Sequence, residues 1–163
     1  MPASSTDAPR PGEVALAFDP ADRVDAGLCF VGAIRSPWTK ENAPRNVREA
    51  RERGGAFAIE LLPDYAKALD GLAVGQAIQM LYWAQNRRRD LLTQTPRHSG
   101  GQRGTFALRS PVRPNPILLA TVVITAIDGA TLGIDATDAI DGTPLLDIKP
   151  WIDTVDVPPD WRP

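Results

Sequence analysis

Histidine and cysteine, the side chains most often recruited as general base, nucleophile or zinc ligand, occur once each in this chain, as His98 and Cys29. One of each leaves little for a histidine-based triad and too little for a zinc cage. Cys29 sits in the apolar run Leu28-Cys29-Phe30-Val31 and is expected to be a buried small hydrophobe. His98 follows Arg97 among polar residues and is expected to be a solvated loop histidine rather than a base. Asp135, Asp138, Asp141 and Asp147 do not match the spacing of a calcium loop, so they are expected to cap turns, with no metal bound. Phosphate-cradling glycine patterns are absent: there is no Gly-x-Gly-x-x-Gly and no Gly-x-x-x-x-Gly-Lys-Ser/Thr. Gly100-Gly101 and Gly104 read instead as a flexible basic loop with Arg97, His98 and Arg103.

Arginine is abundant. There are 15 Arg against 3 Lys, and guanidinium forks suit phosphate and carboxylate recognition. The formal net charge is −2, but the charges are segregated along the chain. Residues 31–113 carry 12 Arg and 2 Lys against 7 acids, residues 114–163 hold 2 basic residues against 8 acids, and residues 1–30 hold 2 against 5. Two readings fit: basic and acidic segments pair within the fold, or the middle presents an electropositive face. Arg87-Arg88-Arg89 likewise reads as a solvated turn or as a phosphate contact. Trp83 just before it reads as a core residue, with base stacking as the alternative.

The elements that must position these groups are short. With 163 residues and 16 prolines, the chain is one domain's length with many loops and few long helices. Apolar runs at Leu28–Ile34, Phe57–Leu62, Ile78–Trp83, Thr105–Leu108, Leu119–Ile127 and Thr131–Ile134 read as strands. Asp128-Gly129 marks a hairpin between the last two. Residues 47–53 and 65–69 have room for a helical turn or two, and Pro111, Pro114 and Pro116 mark a shaped loop. The fold class expected is mainly β, a compact antiparallel sandwich or barrel with short helical turns. Residues 1–22 form an N-terminal tail, 23–157 the barrel domain and 158–163 a C-terminal tail. The longest mainly apolar stretch, Ile117 to Ile127, is far short of the ~18–20 residues that span a bilayer, and no secretion signal is found. A lone cysteine suits a reducing compartment. A cytoplasmic protein without a membrane partner is expected.

Three segments carry more information together. They are Gly32-Ala33-Ile34-Arg35-Ser36-Pro37 with Pro44-Arg45-Asn46; the stretch from Arg103-Gly104-Thr105-Phe106 through Leu108-Arg109-Ser110-Pro111 to Arg113-Pro114-Asn115-Pro116-Ile117; and Asp138-Ala139-Ile140-Asp141-Gly142-Thr143-Pro144 running on to Pro150. In order and spacing the chain resembles the TsaA-like family, also called YaeB or TrmO, over residues 28–156. The resemblance implies a compact β-barrel that binds S-adenosyl-L-methionine without a Rossmann fold, as a homodimer with the cofactor near the subunit interface. It implies N6-methylation of a threonylcarbamoyl-adenosine beside the anticodon of threonine tRNA.

Carried over residue by residue, the cofactor contacts it implies are Arg45, Asn46, Arg109, Leu119, Asp141, Gly142, Thr143 and Pro144. The turn at Gly142 and Pro144 is expected to read the cofactor through its backbone groups, and Arg45 or Arg109 to hold a carboxylate. No catalytic residue is assigned. Many family members carry histidines where this chain has Ala77 and Ala84-Gln85, and glycine where it has Leu118. Gln85 and Asn86 are therefore added as polar cofactor contacts. The extra C-terminal domain of longer bacterial members is expected to be missing. Two further readings remain: the same cofactor with another acceptor, and a non-catalytic module that binds cofactor or RNA.

Overall fold

The protein is described from a computed structural model covering residues 8–96 and 101–160. Expectations placed on Arg97, His98 and Gly100, and on the outermost tail residues 1–7 and 161–163, lie outside the described residues. The elements in chain order are β1 (Gly32–Arg35), α1 (Val47–Arg53), β2 (Ala58–Leu61), β3 (Ala77–Trp83), β4 (Thr93–Gln94), β5 (Arg103–Gly104), β6 (Ile117–Asp128), β7 (Thr131–Ile134), β8 (Thr143–Pro150) and α2 (Asp153–Asp156). They fall into two compact units. One comprises Cys29–Tyr82 and Leu119–Pro163; the other comprises the chain up to Leu28 together with Trp83–Leu118.

The first unit is built on a closed antiparallel barrel in the order β1-β2-β7-β6-β3-β8, bearing out the mainly β architecture. Strand side chains alternate between faces, so every second residue fills the interior. Ile78, Met80 and Tyr82 of β3, Ala120, Val122 and Ile124 of β6, and Ile34, Ile59, Leu132 and Leu145 are buried there. β1 opens at Gly32, later than the apolar run suggests. A Cβ at Gly32 would stand 2.3 Å from the Glu60 carbonyl oxygen, so only glycine lets β1 and β2 approach this closely. The residues before it are not core. Leu28 and Phe30 are exposed, and so is Cys29, whose Sγ lies 3.3 Å from the Tyr65 hydroxyl, correcting the buried cysteine expected above. β6 and β7 form the hairpin signalled by Asp128-Gly129, with Asp128 opposite Thr131. β8 was not legible as a strand, because Pro144 and Pro150 sit within it.

The second unit carries the small ladder β4–β5, and Ala15 bridges to Leu91. Buried Gln94 donates from Nε2 to Val112 O (2.6 Å) and Thr105 Oγ1 (3.0 Å). Thr105 Oγ1 in turn donates to Leu91 O at 2.7 Å, and Thr105 N to Leu92 O at 2.9 Å. These bonds draw Thr105–Ala107 into a 3-10 turn, where the sequence suggests a strand over Thr105–Leu108. The proline loop is held by arginines. Arg113 donates to Leu108 O and Ser110 O, and Arg89 to Pro114 O and Asn115 Oδ1. Trp83 is half-buried rather than core, with the Arg89 guanidinium 5.6 Å from its ring centroid.

Candidate functional site

In a closed antiparallel barrel successive connections alternate between the two mouths. Residues 36–57 (β1 to β2), 84–116 (β3 to β6) and 135–142 (β7 to β8) all leave from the same mouth. Every cofactor contact singled out from the sequence lies on one of these connections or on the first residues of β6 and β8. In the barrel unit they are Arg45, Asn46, Leu119, Asp141, Gly142, Thr143 and Pro144; Gln85, Asn86 and Arg109 belong to the second unit.

The 140–143 segment is a β-turn closed by Thr143 N to Ile140 O at 3.1 Å, with Gly142 at φ +75° in its third position. That position of a type II turn requires positive φ, which glycine adopts without strain. Thr143 Oγ1 also donates to Ile140 O at 2.6 Å. Asp141 N donates to Trp38 O at 3.0 Å and Gly142 N to Ile34 O at 2.9 Å. The N–H groups of Asp141, Gly142 and Thr143 are thus engaged inside the protein. What the turn offers is the half-exposed Asp141 carboxylate. Its Oδ1 accepts from Ser36 N at 3.1 Å, and its Oδ2 lies 4.0 Å from an Arg35 terminal nitrogen. Arg35 is the residue that the sequence reading missed. It lies within the first motif, but its partners, Glu60 at 2.6 Å and Asp141, come from β2 and the far end of the chain. The bond to Glu60, with the nearby Asp141 carboxylate, raises the pKa of Arg35.

Trp38 ties this turn to α1. Its indole Nε1 donates to Thr137 O at 2.6 Å, its ring packs 5.7 Å from Phe57, and the Arg53 guanidinium lies 4.4 Å over it. At the other end of α1, Asn46 is the N-cap, with Oδ1 accepting from Glu49 N at 2.9 Å. Arg45 Nε donates to Glu49 Oε2 at 3.1 Å, and this bond holds the Glu49 carboxyl below its ordinary value. Both residues therefore have a helix-building role, yet each keeps a donor. The terminal nitrogens of Arg45, whose side chain is 78% exposed, and the amide nitrogen of Asn46 have no partner among the described residues. Arg51 of α1 donates to Asp135 Oδ2 at 2.6 Å and to Thr121 O at 3.3 Å, which fixes the helix to β6 two residues beyond Leu119. Leu119 is on the outer face of β6. Through α1 and Trp38 the structure thus links Arg45, Asn46, Asp141, Gly142 and Thr143 into one constellation, with Pro144 buried beneath.

In the second unit Gln85 and Asn86 form an exposed turn, Asn86 at φ +56°, a left-handed conformation that asparagine tolerates. Arg109 is exposed at the start of the proline loop. Among the described residues no cluster of His, Cys, Asp or Glu could hold a metal ion. A cavity of about 450 Å³ lies at the opposite barrel mouth, lined by Val31, Leu61, Tyr65, Leu72 and Asp147 among others, and contains none of the cofactor contacts implied by the resemblance.

Residues 33–157 match the family described as the tRNA-methyltransferase O N-terminal domain. The chain is 39% identical over 142 residues to a protein of Rhizobium radiobacter named a probable S-adenosyl-L-methionine-binding protein, VirR, covering 86% of this chain and 78% of that one. It is 45% identical over 65 residues to the mouse tRNA (adenine(37)-N6)-methyltransferase, covering 40% of this chain and 15% of the mouse protein. A crystal structure of TrmO aligns with a TM-score of 0.68 at 28% identity, over 86% of this chain and 64% of that chain.

Proposed function

Because this chain belongs to the tRNA-methyltransferase O N-terminal-domain family, we propose that it transfers a methyl group from S-adenosyl-L-methionine to N6 of an adenine in tRNA. The observation that supports this reading is the linkage of Arg45, Asn46 and the 140–143 turn through α1 and Trp38 within the barrel unit. The residues there fit the cofactor's chemistry. The Asp141 carboxylate accepts from amino or hydroxyl groups, and the free ends of Arg45 and the Asn46 amide donate to a carboxylate. Arg109, Gln85 and Asn86 are proposed as further cofactor contacts. When bound, the cofactor supplies a methyl group already activated on a sulfonium. The protein's task is then alignment of donor and acceptor rather than covalent catalysis, which a chain with one histidine and one exposed cysteine can perform.

The acceptor proposed is a threonylcarbamoyl-adenosine beside the anticodon of threonine tRNA, and the enzyme is proposed to work in the cytoplasm as a homodimer. Leu119 and Val123, exposed on the outer face of β6, supply neutral apolar surface for a second copy. Among the described residues no helix is long and apolar enough to cross a membrane.

The test is methyl transfer by the purified chain to tRNA from cells lacking the gene, read by nucleoside mass spectrometry. Gain of an N6-methyl on the modified adenosine supports the proposal, whereas intact cofactor binding with no transfer to any tRNA overturns it. The latter result would favour the second reading, cofactor binding without transfer, for which the name of the 39%-identical relative speaks.

A further inference from the structure

Among the large apolar residues described, Phe106 is the most exposed, at 82%. Its neighbour Thr105 is 2% exposed and fixed by bonds from Oγ1 to Leu91 O, from N to Leu92 O and from Gln94 Nε2, while Leu108 N closes the turn onto Thr105 O at 3.2 Å. The backbone that presents the ring is therefore held on both sides, and the ring stands in water on a rigid mount. Burying a phenyl ring is among the larger hydrophobic gains open to a small domain, and here it is forgone.

The surroundings say what the ring fits. Residues 83–118 contain seven arginines and a single acid, Asp90. Asp90 is already committed to a two-point bond with Arg88, at 2.6 and 2.9 Å. Arg89 and Arg113 hold the proline loop, while Arg103, three residues before the ring, is exposed. An exposed aromatic ring in a cationic segment that lacks free acids is the chemistry of a single-stranded nucleic-acid platform, in which a base stacks on the ring and guanidinium groups take the neighbouring phosphates. A second copy of the chain is a poorer occupant. A twofold contact sets a patch against itself, bringing arginines to face arginines.

We propose that Phe106 stacks on an unpaired base of the tRNA anticodon loop and that Arg103 contacts an adjacent phosphate, making Phe106 a positioning residue for the acceptor. This rests on the methyltransferase reading above. The experiment uses the full chain as wild type, Phe106→Ala and Phe106→Trp. The probes are a threonine-tRNA anticodon stem-loop and the same hairpin with abasic loop nucleotides. Phe106→Ala is expected to weaken binding to the intact hairpin by about tenfold or more, leave the abasic hairpin nearly unaffected and leave cofactor affinity unchanged. Phe106→Trp is expected to retain affinity, its added indole emission being quenched by the intact hairpin alone. Equal binding by wild type and Phe106→Ala overturns the stacking role while leaving the methyltransferase reading in place. Equal losses on both hairpins, or conversion of a dimer to monomers by Phe106→Ala in light scattering, overturn it as well. A wild-type chain that binds cofactor but neither hairpin nor tRNA overturns both.

Discussion

Replacing Trp38 by phenylalanine isolates the contact that joins the 140–143 turn to α1. Trp38 is 4% exposed, and its indole nitrogen donates at 2.6 Å to the carbonyl of Thr137, itself fully buried. Phenylalanine retains a six-membered ring to pack on Phe57 and under Arg53 but leaves the Thr137 carbonyl without its donor. A buried polar group deprived of its partner costs ~1–3 kcal/mol. The lost five-membered ring adds a small cavity, roughly another 1 kcal/mol by analogy with large-to-small core changes. The sum, about 2–4 kcal/mol, corresponds to a fall of roughly 5–15 °C in the unfolding midpoint for a chain of this size. Because the Trp38 carbonyl also accepts from Asp141 N, a shifted ring should loosen the turn and weaken cofactor binding. Circular dichroism melts, with calorimetry of cofactor binding well below the variant's midpoint, separate the two effects. An unchanged midpoint would refute the energetic argument. A lowered midpoint with unchanged affinity would sever the link from Trp38 to the turn.

Asn46→Ala removes an N-cap and should cost about 0.5–2 kcal/mol, whereas Asn46→Asp keeps the cap and deletes only the amide donor; normal stability with weakened cofactor binding in the aspartate variant, compared by melting and calorimetry, would identify the amide as a ligand. Arg109→Ala should weaken cofactor binding by ~1.5–3 kcal/mol if its guanidinium makes a charge-assisted bond there, and an unchanged isotherm removes it from the site. The Asp90 carboxyl is held below its ordinary value by the hydrogen bond from Arg88, so its contribution to stability is full above the unfolded value near ~3.9 and is lost as pH falls through the lower folded value. Acid titration of stability should accordingly be shallower in Asp90→Asn, and identical acid limbs would contradict this assignment.

How much of this was legible in the sequence depends on how local each cause is. β7 and α1 appear where apolar pattern and composition place them, and the Asp-Gly hairpin is real, because those signals act over a few residues. Thr105–Leu108 has a strand's composition but forms a turn, because the Thr105 hydroxyl and amide are captured by carbonyls at Leu91 and Leu92. Cys29 was misplaced for a related reason. The apolar run around it is continuous, yet the ladder begins only where Gly32 admits the neighbouring strand. At the site, the Asp-Gly pair announced a turn but could not disclose that Trp38 and Ile34, more than a hundred residues upstream, engage its N–H groups. Arg35 escaped notice because its partners exist only once β1 lies beside β2.

Barrel topology also separates what the short connections do from what the long ones do. The β6–β7 hairpin at one mouth is as short as a strand pair allows, and its function is geometric. Connections 36–57, 84–116 and 135–142 leave from the other mouth and carry the motif residues of the family resemblance that do not lie on β1, β6 or β8. Residues as distant as Ser36 and Asp141 meet because β1 and β8 pair antiparallel with Ile34 opposite Thr143, so the register places the loop after β1 against the turn before β8. A cofactor held there would be gripped by side chains whose positions follow from strand register and one buried tryptophan, not from a phosphate-binding glycine loop. That is why the absence of Gly-x-Gly-x-x-Gly and the scarcity of histidine are compatible with methyl transfer: the donor arrives activated, and a rigid barrel mouth supplies what remains, the placement of two reactants.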